Sequence, residues 1–162
     1  MDRQPVNTSK LIEALAFAAH KHRGQRRKDA AGSPYINHPI AVARVLAVEA
    51  QVTDEATLLA AVLHDTVEDT ETNLEEIAQH FGDQVAQIVA EVTDDKSLPK
   101  AVRKELQIHH AAKASSRAKR LKIADKICNV RDVTLNPPAD WPVDRKREYL
   151  AWAVEVVAGC RG

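Results

Sequence analysis

The segment from position 64 to 70 reads HDTVEDT and closes the apolar run TLLAAVL. It sets His64 beside Asp65 and places Glu68 and Asp69 within the next four residues. A core helix gains nothing by ending in an imidazole and three carboxylates, whereas a metal centre with a proton-handling group beside it needs those side chains. His38, in the string INHPI, and Asp125, in KIADKICN, offer two more donors from separate parts of the chain. Two imidazoles and two carboxylates form a mixed nitrogen and oxygen set. It suits a borderline divalent ion such as Mn²⁺, Fe²⁺, Co²⁺ or Zn²⁺ better than Ca²⁺ or Mg²⁺, which favour all-oxygen shells. Four protein ligands on a metal that accepts six leave room for water and a substrate oxygen, as a catalytic ion requires.

Neighbouring helical residues point about 100° apart, so His64 and Asp65 reach one ion only where their helix ends or where the ion lies between their directions. Residues four apart share a face. If helical geometry continues past Asp65, Glu68 and Asp69 hang over the ligands one turn later, placed to position water or carry protons. The sequence does not say which of the two is the base, and they are read as a pair. Taken singly these signals are weak: a buried histidine is usually a hydrogen-bonded core residue, and EDT also reads as a solvated segment favoured by a helix dipole. HPI, LLAAVLHDTVEDT and KIADKICNVRD together are far more specific.

The elements that must position these residues read as helices throughout, because Ala, Leu, Glu, Lys and Arg dominate the periodic segments and no strand pattern stands out. A first helix over SKLIEALAFAAHKHRG follows a cap at Asn7, Thr8 or Ser9 and stops at Gly24. Residues 25–37 read as a basic loop. Pro39 at a first helical position would start the helix IAVARVLAVEA and put His38 at its mouth. A helix from about Asp54 to the HD pair, a loop, and a helix opened by a capping box at Thr72 and Glu75 should follow. A further helix covers 83–93, Pro99 opens another, and the segment from about Arg117 to Leu135 carries an apolar row, Leu121, Ala124 and Cys128, beside a polar stripe, Asp125, Asn129 and Asp132. Asn136, Pro137 and Pro138 break it before a last helix from about Val143. Cys128, Cys160, Trp141 and Trp152 read as core packing.

These motifs, with RRKDAAGSPYINHPIAVARVL and EVTDDKSLPK, resemble the HD-domain superfamily of metal-dependent phosphohydrolases, and within it the small stand-alone alarmone hydrolases of RelA/SpoT type found in animals. The likeness covers nearly the whole chain. It implies an all-α, HD-domain helical fold, one domain over residues 1–162 with a central metal site. It also implies one Mn²⁺ ligated by His38, His64, Asp65 and Asp125, with Glu68 and Asp69 as the catalytic acidic pair. By the same comparison Arg27 and Lys28 border the nucleotide, Asn129 bonds its ribose or base region, Tyr149 lines the nucleoside pocket and Arg145 contacts phosphate. The implied reaction removes pyrophosphate from the 3′ position of guanosine tetra- or pentaphosphate (ppGpp, pppGpp). Synthetase and regulatory domains of longer relatives have no place in such a chain, which is expected only to degrade. Two rival readings are a phosphatase of another nucleotide, such as the 2′-phosphate of NADPH, and a silent module that binds alarmone or metal; the presence of both Glu68 and Asp69 speaks against the second.

Composition is consistent with a small charged metabolite as partner. Lys and Arg number 23 and Asp and Glu number 23, so no overall field draws the protein to a nucleic acid polymer or an anionic membrane. The two cysteines show no CxxC spacing and the N-terminus has no apolar leader, which together suggest a reduced, cytoplasmic protein. A chain of 162 residues can bury a core without a structural metal, so an ion here would be functional. Oligomeric state is not written in the sequence.

Overall fold

The computed structural model describes residues 5–162. Among them the regular structure is helical, with two isolated bridges and no strand, and no helix is long and apolar enough to cross a membrane. Helix α1 (Thr8–Lys21) takes Asn7 as its cap, whose side chain accepts from the Lys10 N–H. Helix α2 (Asn37–Arg44) begins two residues before Pro39, earlier than expected. Pro39 still lies in the first turn, where backbone N–H groups have no intrahelical partner and a missing donor costs nothing. The helix runs on into a π turn, Val45–Glu49, whose last residue meets Arg131 at 2.8 and 2.9 Å.

Helix α3 (Glu55–Leu63) is the centre of the molecule. Every residue from Ala56 to Leu63 is buried, as expected of a helix that is apolar all round, and it packs against α1, α2, α6 and α8. Its start is fixed by Asp54, which caps the Thr57 N–H and also accepts from Arg117 at 2.8 Å. Where a loop was expected after the HD pair, the chain instead makes one helical turn, α4 (Thr66–Asp69). The capping box expected at Thr72 and Glu75 is displaced by one residue. Asn73 caps α5 (Leu74–Phe81) by accepting from the Glu76 N–H at 2.9 Å, while the buried Thr72 hydroxyl pairs with Thr70 at 2.7 Å.

Gly82, at φ 95°, turns α5 into α6 (Asp83–Val92), a left-handed backbone that glycine adopts without a steric penalty. Helix α7 (Lys100–Lys113) follows Pro99, and α8 (Ser116–Leu135) starts at the Ser115 cap. The apolar row Leu121, Ala124 and Cys128 is buried as expected, but so are Lys122 and Lys126 on the same helix. Helix α9 (Val143–Gly159) packs on α7 through a second small core of Ala111, Val156 and Cys160. A Cβ at Gly159 would stand 3.1 Å from the Ala111 Cβ and 3.3 Å from the Ile108 carbonyl oxygen, so glycine there lets the two helices close.

Leu63, fully buried at the end of α3, anchors the residue that precedes the HD pair. Leu63→Ala is expected to cost about 3 kcal/mol of stability, read as a lower urea midpoint with an unchanged denaturant slope.

Candidate functional site

His38 comes from the first turn of α2, His64 and Asp65 from the end of α3, and Asp125 from the middle of α8. The fold brings all four together. His38 Nε2 lies 2.9 Å from Asp125 Oδ1 and 3.7 Å from Asp65 Oδ2, and His64 Nε2 lies 3.5 and 3.2 Å from the same two oxygens, respectively. Both imidazoles are about 5 % exposed. His64 Nδ1 sits 2.6 Å from the Ala61 carbonyl, and an imidazole nitrogen facing a carbonyl carries its proton. In the neutral ring Nε2 therefore turns a lone pair toward two carboxylates, buried and without a hydrogen bond. Lone pair against carboxylate is repulsive unless a cation lies between them. A divalent ion fits this donor set, and His38, His64 and Asp65 are near enough to one another to share it. Without the ion, burial works against charge on His64, yet Asp65 and Asp125 raise its pKa well above the usual value. Burial likewise opposes charge on Asp125, but Lys126 and the two imidazoles hold its carboxyl well below the usual range.

The acidic pair divides. Helical geometry does persist past Asp65, since the Asp69 N–H donates to the Asp65 carbonyl at 2.9 Å. Asp69 faces outward, bonded by Lys96 and by the Tyr35 hydroxyl at 3.3 Å. Tyr35 also donates to Asp65 Oδ2 at 2.7 Å. Burial and then the charges of Asp65 and Asp69 push the phenol far above its ordinary pKa, so it acts as a fixed donor. Glu68 points the other way and accepts from the Asp94 N–H at 2.7 Å. Burial pushes its carboxyl up to about 7; that backbone hydrogen bond works against the rise, and the charges of Asp94, Asp65 and Asp69 add to it.

Over the outer side of this cluster opens a cavity of about 830 Å³, lined among others by Arg27, Lys28, Tyr35, Asp69, Lys96, Asn129, Trp141 and Tyr149. Asp29, bonded to the Ser33 backbone and hydroxyl at 2.9 and 2.6 Å, folds the basic loop back on itself. A bridge between Asp29 and Pro138 ties that loop to the segment after α8. Lys28 faces the cavity with no carboxylate within ion-pair distance among the described residues. Arg27, expected to border a nucleotide, also lines the cavity, paired with Asp132 at 2.7 Å and lying over the Tyr35 ring. Asn129 lines the cavity and bonds Asp125 at 3.2 Å. Arg145 does not line the cavity; its guanidinium stacks on Trp141 at 4.2 Å. Trp141 was expected in the core and instead forms the cavity wall with Tyr149, their rings 5.7 Å apart. Trp152 does pack inside, against the second core, its indole N–H on the Lys104 carbonyl at 3.0 Å.

Sequence reasoning missed Tyr35, Lys96 and the buried lysines. Tyr35 stands three residues before His38, the spacing that shares a helical face, and Lys122 and Lys126 flank Asp125 in KIADK. Gln25 was also missed. It bonds His22 at 2.7 Å and the Asp69 carbonyl at 2.8 Å, tying α1 to α4.

A family model described as HD domain matches residues 14–151. The mouse and human guanosine-3′,5′-bis(diphosphate) 3′-pyrophosphohydrolase MESH1 proteins are each 55 % identical over 154 residues, spanning 95 % of this chain and 86 % of theirs. A solved structure of a metazoan orthologue of SpoT, described as hydrolysing ppGpp and acting in starvation responses, superposes with a TM-score of 0.93. It has 51 % identity, over 96 % of this chain and 88 % of that one.

The raised carboxyl of Glu68 has a signature in stability. An acid whose folded pKa is about 7 against 4.5 ordinarily keeps its proton in the fold while the unfolded chain ionises. The fold therefore loses stability as pH climbs from about 4.5 to 7, by on the order of 3 kcal/mol in all. Glu68→Gln removes that loss. In metal-free protein it is expected to raise the melting temperature at pH 8 and to leave it nearly unchanged at pH 4.

Proposed function

The chain belongs to the HD-domain family, and we propose that within it this protein is a metal-dependent guanosine-3′,5′-bis(diphosphate) 3′-pyrophosphohydrolase. It removes pyrophosphate from the 3′ position of ppGpp or pppGpp and leaves GDP or GTP. The observation that carries this reading is the meeting of His38, His64, Asp65 and Asp125 beside a buried, proton-holding Glu68, with His38 and Asp69 reaching the wall of a cavity lined by aromatics and cations. The close relatives named as 3′-pyrophosphohydrolases support it over the greater part of both chains.

In this reading the four residues hold one Mn²⁺, which when bound neutralises phosphate charge and acidifies water. The oxygen of a water molecule bonds to the phosphorus attached to the 3′ oxygen, the phosphorus–O3′ bond breaks, and the proton lost by water ends on O3′. Glu68 moves that proton, because a carboxyl with pKa near 7 accepts and returns one at neutral pH. Asp69, fixed by Tyr35 and Lys96, orients the attacking water. Tyr149 and Trp141 offer faces to the nucleoside, Asn129 bonds its ribose or base region, and Lys28 meets phosphate. Arg27 presents its stacked plane from a fixed position. Arg145 acts from behind Trp141. The whole chain works as one domain on a small cytoplasmic nucleotide, with no part for a nucleic acid polymer or a membrane; the balanced charge supports this.

With Mn²⁺ the purified protein is expected to release pyrophosphate from ppGpp and leave GDP. Turnover should be fastest on alarmones in a panel with NADPH and simple nucleotides, and should stop with chelator. Cleavage of NADPH but not ppGpp would overturn the substrate. His64→Ala is expected to lose both metal, by elemental analysis, and turnover. Glu68→Gln is expected to keep metal while kcat falls by about 10²- to 10⁴-fold; wild-type turnover would remove Glu68 from the chemistry.

A further inference from the structure

The four-residue cluster has an inner side as well as an outer one. A second cavity of about 60 Å³ lies there, lined by His64, Asp65 and Asp125 of the cluster and by Glu68, Asp94, Gln107, Lys122 and Lys126 among others. Its volume is about that of two water molecules in the liquid, enough for one phosphate group and far too little for a nucleoside. Its polar groups are nearly all committed. Asp94 accepts from Gln107 at 2.5 Å, Glu68 accepts from the Asp94 N–H, and Lys126 donates to Asp125 at 3.0 Å. Two groups are exceptions: His64 Nε2, which the ion would take up, and Lys122, which is 7 % exposed and whose ammonium has no hydrogen bond or ion pair among the described residues. A largely buried ammonium without a partner loses hydration that nothing in the protein replaces, a cost that a methionine of similar length would avoid.

We propose that this recess is an anion subsite that receives the distal phosphate of the 3′-diphosphate, with Lys122 as its contact. The inference rests on the reading of the protein as a 3′-pyrophosphohydrolase. The nucleoside requires the large outer cavity, and the phosphorus under attack must stand at the cluster. The next phosphate of the chain is therefore carried past the cluster, to the side where the small recess and its uncommitted cation lie. When the phosphorus–O3′ bond breaks, the P–O–P bridge stays whole, and pyrophosphate departs with one end in the recess. Lys122 thereby selects a diphosphate leaving group over a monophosphate.

The test uses the full chain loaded with Mn²⁺ and Lys122→Met, with Lys122→Gln read in the same way should the first variant fold poorly. Two quantities are measured: the ratio of kcat/KM for guanosine nucleotides bearing a 3′-diphosphate or a 3′-monophosphate, and the calorimetric Kd of inorganic pyrophosphate and of phosphate. Wild type is expected to favour the diphosphate, and the variant to lose about tenfold of that ratio and to bind pyrophosphate about tenfold more weakly, with metal content unchanged. An unchanged ratio, or an equal loss on both substrates with unaltered pyrophosphate binding, would overturn the subsite and leave a recess that holds water. If wild type cleaves neither nucleotide, the pyrophosphohydrolase reading fails by itself. The pyrophosphate titration then still decides whether the recess takes an anion.

Discussion

The site depends on one concentration of like charge. Asp65 and Asp125 converge, mostly buried, on the face of His64 whose lone pair is fixed by the Ala61 carbonyl. Little water is left to screen them, and the buried α3 fixes the end of the helix from which His64 and Asp65 project. The arrangement persists only if a positive charge occupies the middle, whether a proton on an imidazole or a metal ion. Its neighbours are arranged around that need. Lys126 and Asn129 hold the second oxygen of Asp125, and Tyr35 holds Asp65. A divalent ion that displaces the imidazole proton meets ligands already oriented, so little ordering remains to oppose its binding.

The same crowding explains why the two acids differ although they are adjacent in sequence. One turn of helix after Asp65 sends Asp69 to the solvent side, where Lys96 and Tyr35 balance it, and Glu68 to the inner side, where it faces carboxylates and a backbone amide. Helical periodicity places both over the ligands. Burial on the inner side, with the charges of Asp94, Asp65 and Asp69 added to it, makes the Glu68 carboxyl a weaker acid.

Much of this was legible in the chain itself. The apolar row of α8, the polar stripe beside it and the HD pair at the end of an apolar run are statements about periodicity, and periodicity survives folding. The misses have a different physical origin. Asn73 rather than Thr72 capped α5 because the Thr72 hydroxyl was taken by Thr70, a competition between side chains that no spacing rule records. Trp141 faced the cavity because the turn after α8 is pinned to the basic loop by Asp29 and Pro138, a contact far apart in sequence. Lys122 and Lys126 were invisible as buried cations, since lysine on a helix is ordinarily a solvated residue and its burial is decided by the neighbouring helices.

Gly159 gives the cavity a dimension that none of its lining residues controls. Tyr149 stands on α9 about three turns before it, and the separation of α9 from α7 is limited by the bare Cα opposite Ala111. Helices transmit such spacing as stiff rods, so the width of the aromatic wall is set at the far end of the element that carries it. Relatives could widen or narrow the slot for a base by changing one small residue remote from every reacting atom, and so drift in nucleotide preference while their ligands and acids stay the same.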